Sequence, residues 1–328
     1  MIVKPSRWAG PRRSALCKSC WPARRRRTEL VESYVIELPS GIRLSCRASG
    51  SPAAPVLLFL HGFPEAAFIW DPLLEHFAER YRCVAPNLRG YAESSAPADV
   101  EAYRAKHIVA DIAALIDRLG GQVEALVAHD WGGSVAWNLA AQQPHRLRRL
   151  VIINSPHPAT FLRGLQHDPE QQAASAYMNF LCRPDAEALL AENDFARLWP
   201  FFTNMGAADP ARPGGGWLTE AVREQYREVW RAGLRGGCNY YRASPLRPPT
   251  ARDSSVMTIR FAPEAVTVRV PTLVVWAEDD LALPTSLLDG LEAFVPQMRL
   301  VRLPNASHWV IHEQPATIVA EIERELAG

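Results

Sequence analysis

A mostly parallel α/β sheet, covered by helices on both faces and interrupted once by a helical insertion, is the fold class the sequence predicts. Three observations predict it. Residues 56–60 form a continuously apolar run, and similar, largely apolar runs recur at 81–85, 123–128, 147–153, 272–276 and 299–303. A run of that length without polar alternation is the mark of a strand buried on both faces. Helical patterns separate most of these runs, at 69–78, 103–119, 134–142, 286–294 and 315–326, and strands alternating with helices build a parallel sheet. The alternation stops between 156 and 249, where the chain is aromatic-rich and helical in character (177–181, 186–191, 218–230) and then dense in proline and glycine from 236 to 249. Inserted after the sixth strand, this segment would cap the crevice at the carboxyl ends of the strands, where α/β folds bind ligands.

From the N-terminus, residues 1–28 read as a basic tail with nine Lys or Arg and no acid. It lacks apolar periodicity and is expected to be disordered. Arg12-Arg13 is followed by no apolar stretch, so an export signal is not expected. The other 300 residues carry 27 bases against 35 acids, net −8, which argues against a nucleic-acid partner. Residues 31–38 and 42–46 alternate around Pro39-Ser40-Gly41 and predict a hairpin that opens the ordered domain. The expected organisation is a tail at 1–28, core at 29–155, helical cap at 156–249 and core again at 250–328.

Composition narrows the chemistry. No apolar stretch approaches the roughly 18 residues of a membrane span, so no membrane partner is expected. Lysine occurs only at Lys4, Lys18 and Lys106, none in a glycine-rich context, which disfavours Schiff-base and P-loop chemistry. The six cysteines are scattered and read as reduced thiols of a cytoplasmic protein. Cys17-x-x-Cys20 has no second ligand pair for zinc. No cofactor and no metal are expected.

Run 123–128 leads into His129-Asp130-Trp131-Gly132-Gly133 and then a helix. Strand, small-x-nucleophile-x-small, helix is the pattern of a nucleophile elbow, here with Asp130 at its centre. An aspartate attacking an sp³ carbon forms an ester, whose carbonyl water can later attack; a serine would leave an inert ether. Such a cycle needs a base for water, an acid to orient the base and donors for an oxyanion. His308 follows the last predicted strand, and Glu278, Asp279 and Asp280 follow the strand before it, in the chain order nucleophile, acid, histidine. The oxyanion donors would be the backbone N–H groups of Trp131 and Phe63. His61 and His157 read as structural hydrogen-bonders.

His61-Gly62-Phe63-Pro64-Glu65, the stretch Arg89-Gly90-Tyr91-Ala92-Glu93-Ser94-Ser95-Ala96-Pro97 and His129-Asp130-Trp131-Gly132-Gly133 resemble the α/β-hydrolase superfamily, and within it the soluble epoxide hydrolases. The resemblance runs from about residue 31 to the C-terminus. It implies an α/β-hydrolase fold, Asp280 as the acid through family spacing, and two cap tyrosines, Tyr177 and Tyr241, that hold an epoxide oxygen. Tyr240 stands beside Tyr241 and is the alternative donor. A phenol suits that role because it can donate to an alkoxide while staying neutral. The implied substrates are water and a small apolar epoxide, and a homodimer is compatible. Haloalkane dehalogenases share the Asp-His-acid machinery, and Trp131 would suit halide, but Phe63 replaces the Asn common in their first loop. Haloacetate dehalogenases resemble the chain too, yet Trp131 and Ser134 stand where they place arginines. A non-catalytic binding protein on this scaffold is the reading from another class, and no triad member is lost to favour it.

Overall fold

The computed structural model describes residues 31–328. The basic tail, its Arg12-Arg13 pair and its Cys17 and Cys20 lie outside the described residues. Eight strands form one sheet: β1 (Glu32–Glu37), β2 (Arg43–Ser49), β3 (Val56–Leu60), β4 (Arg82–Pro86), β5 (Ala125–His129), β6 (Leu150–Ile153), β7 (Thr272–Ala277) and β8 (Met298–Leu303). Their order is β1-β2-β4-β3-β5-β6-β7-β8. β1 pairs antiparallel with β2 and β2 with β4; every other neighbour is parallel. The predicted hairpin and the predicted parallel runs are all present. β3, β5, β6 and β7 are buried at every position, which is why they read as unbroken apolar runs.

Side chains of each strand alternate between two cores. Leu58, Leu60, Leu126, Ile152 and Val274 face α2 (Ala105–Arg118) and α3 (Trp131–Gln142). Leu57, Phe59, Val127, Val151 and Val275 face α1 (Asp71–Phe77) and α13 (Pro315–Ala327). α2 shows the helical spacing directly, with Ile108, Ile112, Leu115 and Ile116 buried on one side. Between β6 and β7 the chain leaves the sheet for α4 (Pro158–His167), α5 (Pro169–Ala174), α6 (Ala176–Leu181), α7 (Ala186–Phe195), α8 (Trp199–Thr203), α9 (Glu220–Arg231), α10 (Arg235–Ala243) and α11 (Pro263–Val266). A short α12 (Val310–Glu313) precedes α13.

Two expectations are corrected. The single helix over 286–294 is two 3₁₀ turns, Thr285–Leu288 and Leu291–Ala293, separated at Gly290, whose φ of +72° no right-handed helix accommodates. Leu287, Leu288 and Leu291 are buried all the same, so the periodicity reported burial and not helix. The stretch from Gly236, read as Pro- and Gly-dense connection, begins as helix α10. A Cβ on Gly236 would run into the backbone of Gly90, and one on Gly237 would lie 2.9 Å from the Phe63 ring. The paired glycines let a helix press against two loops of the sheet, and the helix tolerates them for that contact.

Register fixes what meets at the carboxyl edge. Leu60 pairs with Ala128 and His129 with Ile153, while Ile153 pairs with Val275. The loops beginning at His61, Asp130, Asn154 and Glu278 therefore emerge side by side.

Candidate active site

Asp130 sits in the turn between β5 and α3 with φ +49° and ψ −122°, a conformation an L-residue rarely holds and one that lifts its side chain away from the sheet. Gly132 makes the turn fit: a Cβ there would lie 2.5 Å from the Leu60 carbonyl oxygen. Ser155, just past β6, donates its hydroxyl to the Asp130 backbone oxygen at 2.7 Å. The Phe63 N–H donates to Asp130 Oδ1 at 2.7 Å. Trp131 opens α3, so its N–H belongs to the first turn, which has no partner within the helix. Of the two backbone donors named from sequence, Phe63 reaches the carboxylate from a distant loop, and Trp131 follows Asp130 directly in the chain.

His308 lies between two carboxylates. Its Nδ1 is 2.7 Å from Asp280 Oδ2 and its Nε2 is 3.7 Å from Asp130 Oδ2. Burial alone would depress the imidazole; the Asp280 charge and hydrogen bond, with Asp130 behind them, push it up to about 9. Asp280 also accepts from Asn154 Nδ2 at 2.8 Å and from the backbone N–H groups of Ala282 and Leu283 at 2.8 and 3.2 Å. Burial opposes its charge, yet His308, Asn154 and the Ala282 N–H hold it below the usual carboxylate value. Its neighbours point elsewhere: Asp279 faces Arg212 at 3.6 Å with half its side chain exposed, and Glu278 accepts from Arg302 at 2.6 Å. Among the three acids only Asp280 reaches the histidine.

Tyr177 and Tyr241 meet above Asp130, ring centroids 6.0 Å apart and nearly perpendicular. They line, with Asp130 and His308, an apolar cavity of about 280 Å³ whose other walls include Phe201, Met205 and Trp309. Burial, then Tyr177 and Asp130, raise the Tyr241 phenol well above its ordinary value, and burial with Asp130 and Asp280 raises Tyr177. Both stay protonated and are donors at any working pH. Tyr240 points away, donating to the Arg89 carbonyl at 3.1 Å and packing on Tyr91 and Tyr103.

His61 and His157 have structural partners. His61 Nε2 accepts from the Leu88 N–H at 3.1 Å, which leaves Nδ1 to donate to the Gly62 carbonyl at 3.0 Å. His157 Nε2 lies 2.8 Å from the Val266 carbonyl. Burial lowers each to about 4.

Sequence reasoning passed over a second layer. Glu65, fully buried, accepts at Oε1 from Tyr226 of α9 and from His312 of α12, each at 2.7 Å. Its Oε2 is 3.4 Å from Nδ1 of His129, whose Nε2 donates to the His308 carbonyl at 2.9 Å. Burial opposes charge on Glu65, and His312 with His129 outweighs it and holds the carboxyl well below its ordinary value. Glu65 stood inside a quoted motif, so its presence was visible; its partners, 64 to 247 residues away in sequence, were not. Asn154 and Ser155 likewise ended an apolar run without any signal of what they hold. Among the described residues no group of three His, Cys, Asp or Glu is placed to hold a metal ion.

Residues 55–315 match the family model of the alpha/beta hydrolase fold. Epoxide hydrolase 4 of Mus musculus is 34% identical over 286 residues, covering 86% of this chain and 76% of its own. The AB hydrolase superfamily protein YfhM of Bacillus subtilis is 33% identical, covering 85% and 92%. Among solved structures, an epoxide hydrolase from metagenomes of hot environments superposes with a TM-score of 0.79 at 39% identity, covering 90% of this chain and 99% of its own. The Bacillus megaterium epoxide hydrolase superposes at 0.81 and 29% identity, covering 90% and 100%. The chain belongs to the α/β-hydrolase superfamily, in its epoxide hydrolase-like branch.

Proposed function

We propose that this chain hydrolyses an epoxide to a vicinal diol through a covalent ester on Asp130. One observation carries the reading: a carboxylate at the elbow faces an apolar cavity in which two protonated phenols and a carboxylate-paired histidine converge. The relatives named epoxide hydrolases support it. Tyr177 and Tyr241 donate to the epoxide oxygen while Asp130 attacks a ring carbon; that C–O bond breaks, and the alkoxide takes a proton. A water activated by His308 Nε2 then attacks the ester carbonyl. Negative charge develops on the Asp130 oxygen and is received by the N–H groups of Phe63 and Trp131. The acyl C–O bond breaks, and the diol leaves with one oxygen from Asp130.

In this reading residues 156–249 act as the cap, supported by Tyr177 and Tyr241 lying within them. A cytoplasmic location fits the free thiols of Cys46, Cys83, Cys182 and Cys238. Among the described residues no helix is long and apolar enough to cross a membrane.

The decisive test uses His308→Gln with styrene oxide. Alkylation needs no base, so the variant should accumulate an adduct, read as an intact-mass increase equal to the substrate and mapped to Asp130. Loss of adduct and turnover together would overturn the assignment. Faster bromide release from 1-bromobutane than diol from any epoxide would move the reading to dehalogenation.

A further inference from the structure

Asp130, Tyr177 and Tyr241 line two cavities, not one. The larger, about 280 Å³, is the apolar chamber containing His308. The smaller, about 70 Å³, shares those three residues and is otherwise walled by Ser134, Ser155 and Ser244 beside the apolar Phe161, Met178 and Leu246. An apolar cavity of about 150 Å³ is what accepts a benzene molecule, so an aryl ring fits the larger lobe and not the smaller. The smaller lobe is also differently furnished. Ser155 donates to the Asp130 backbone oxygen. Ser244 Oγ accepts from the Leu246 N–H at 3.1 Å, which leaves its own O–H free to donate. The Ser134 side chain, one turn into α3, hydrogen-bonds to no other residue among the described ones and is partly exposed to the lobe.

A trans-disubstituted epoxide held at its oxygen by both phenols and attacked by Asp130 carries its two substituents on opposite faces of the ring, so that they enter different lobes. We infer that the substrate class is an unequally substituted epoxide: one ring carbon bears an extended apolar or aryl arm that fills the large lobe, and the other bears hydrogen or a single-carbon group carrying a hydroxyl, met by Ser134 and Ser244. This rests on the epoxide hydrolase reading and adds to it which epoxides are accepted. Ser134 and Ser244 are specificity residues, since neither reaches a reacting atom.

The test is a substrate series on the full-length chain: styrene oxide, trans-β-methylstyrene oxide, its hydroxymethyl counterpart 3-phenylglycidol, and trans-stilbene oxide. The first three should be hydrolysed, with trans-stilbene oxide slower in kcat/KM by at least about tenfold, because a second ring overpacks the small lobe. The hydroxymethyl compound should exceed the methyl compound by about 3- to 10-fold, the worth of one hydrogen bond. The double change Ser134→Ala plus Ser244→Ala should erase that advantage. Leu246→Ala should raise trans-stilbene oxide turnover by opening the lobe. Equal turnover of trans-stilbene and trans-β-methylstyrene oxides by the unaltered chain overturns the size assignment, and no difference between methyl and hydroxymethyl overturns the polar one; both leave epoxide hydrolysis standing. No diol from any of the four, styrene oxide included, overturns the epoxide reading itself and this inference with it.

Discussion

At the scale of single residues, His308 is set by what it faces. Two carboxylates hold its proton to about 9, which suits the resting site and not a base at neutral pH. Forming the ester removes the Asp130 charge, 3.7 Å away, one of the charges that raise the imidazole. The hydrolytic step should therefore rise with pH through an apparent pKa below 9, measured by stopped-flow decay of the ester, while titration of the free enzyme gives the higher value. Asp280→Asn should lower both and slow hydrolysis more than alkylation. The phenols make the complementary prediction. Tyr177→Phe or Tyr241→Phe alone should slow alkylation by about 10²- to 10⁴-fold, as for a positioned acid, with the surviving phenol covering part of the loss. The double variant should nearly stop epoxide opening, and parental rates in it would exclude both from the reaction. Asp130 was legible as the centre of an elbow because that turn demands small residues at fixed spacing, and His308 because it follows the last strand in the chain order nucleophile, acid, histidine. Choosing Asp280 over Asp279, or Tyr241 over Tyr240, rested on family resemblance, since adjacent residues differ only in the direction their side chains take, and that is decided by distant partners such as Asn154 and Arg89.

At the scale of elements, strands buried on both faces could be placed from sequence because nearly every residue of such a strand is apolar. Segments whose conformation answers to contacts were misread: Gly290 separates two 3₁₀ turns where periodicity suggested one helix, and Gly236 and Gly237 open a helix where composition suggested a connection. α10 is the informative case, since it carries Tyr241 and approaches the Gly90 loop without side chains between them. Gly236→Ala should push the helix off that loop, costing about 1–3 kcal/mol of stability and lowering the alkylation rate by displacing Tyr241. Thermal unfolding and single-turnover rates check the two effects separately. A variant as stable and active as the parent would show that the contact is dispensable.

At the scale of the whole molecule, the chain between β6 and β7 is anchored through Glu65. Its carboxylate joins Tyr226 of α9 to His312 of α12 and, through His129, to the loop bearing His308. Tyr226 and Trp217 pack on this junction, Trp217 stacking on His312 at 4.1 Å, and Trp230 donates to the Pro64 carbonyl at 2.7 Å. Because folding depresses the Glu65 carboxyl, its contribution to stability is present above the ordinary carboxylate value near 4.5 and is lost as pH falls below it. Glu65→Gln should be destabilised at pH 7 by on the order of 3 kcal/mol, as expected when one partner of a buried pair is removed, and its melting temperature should fall less between pH 5 and pH 3 than that of the parent. An unchanged acid slope would place the acid sensitivity elsewhere. None of this was legible beforehand, because the four residues come from four separate segments and meet only once the sheet has formed.

The histidine held between two carboxylates also bears on the proton traffic of the proposed cycle. With the imidazole pushed up to about 9, the resting site at neutral pH carries an imidazolium on His308, its Nδ1 2.7 Å from Asp280 and its Nε2 3.7 Å from Asp130. Alkylation consumes a proton at the alkoxide just as neutralising Asp130 loosens the one on His308, and hydrolysis returns one from water as the Asp130 charge reappears. Gain and loss match over the two halves of this cycle, so turnover needs no net exchange of protons with bulk solvent.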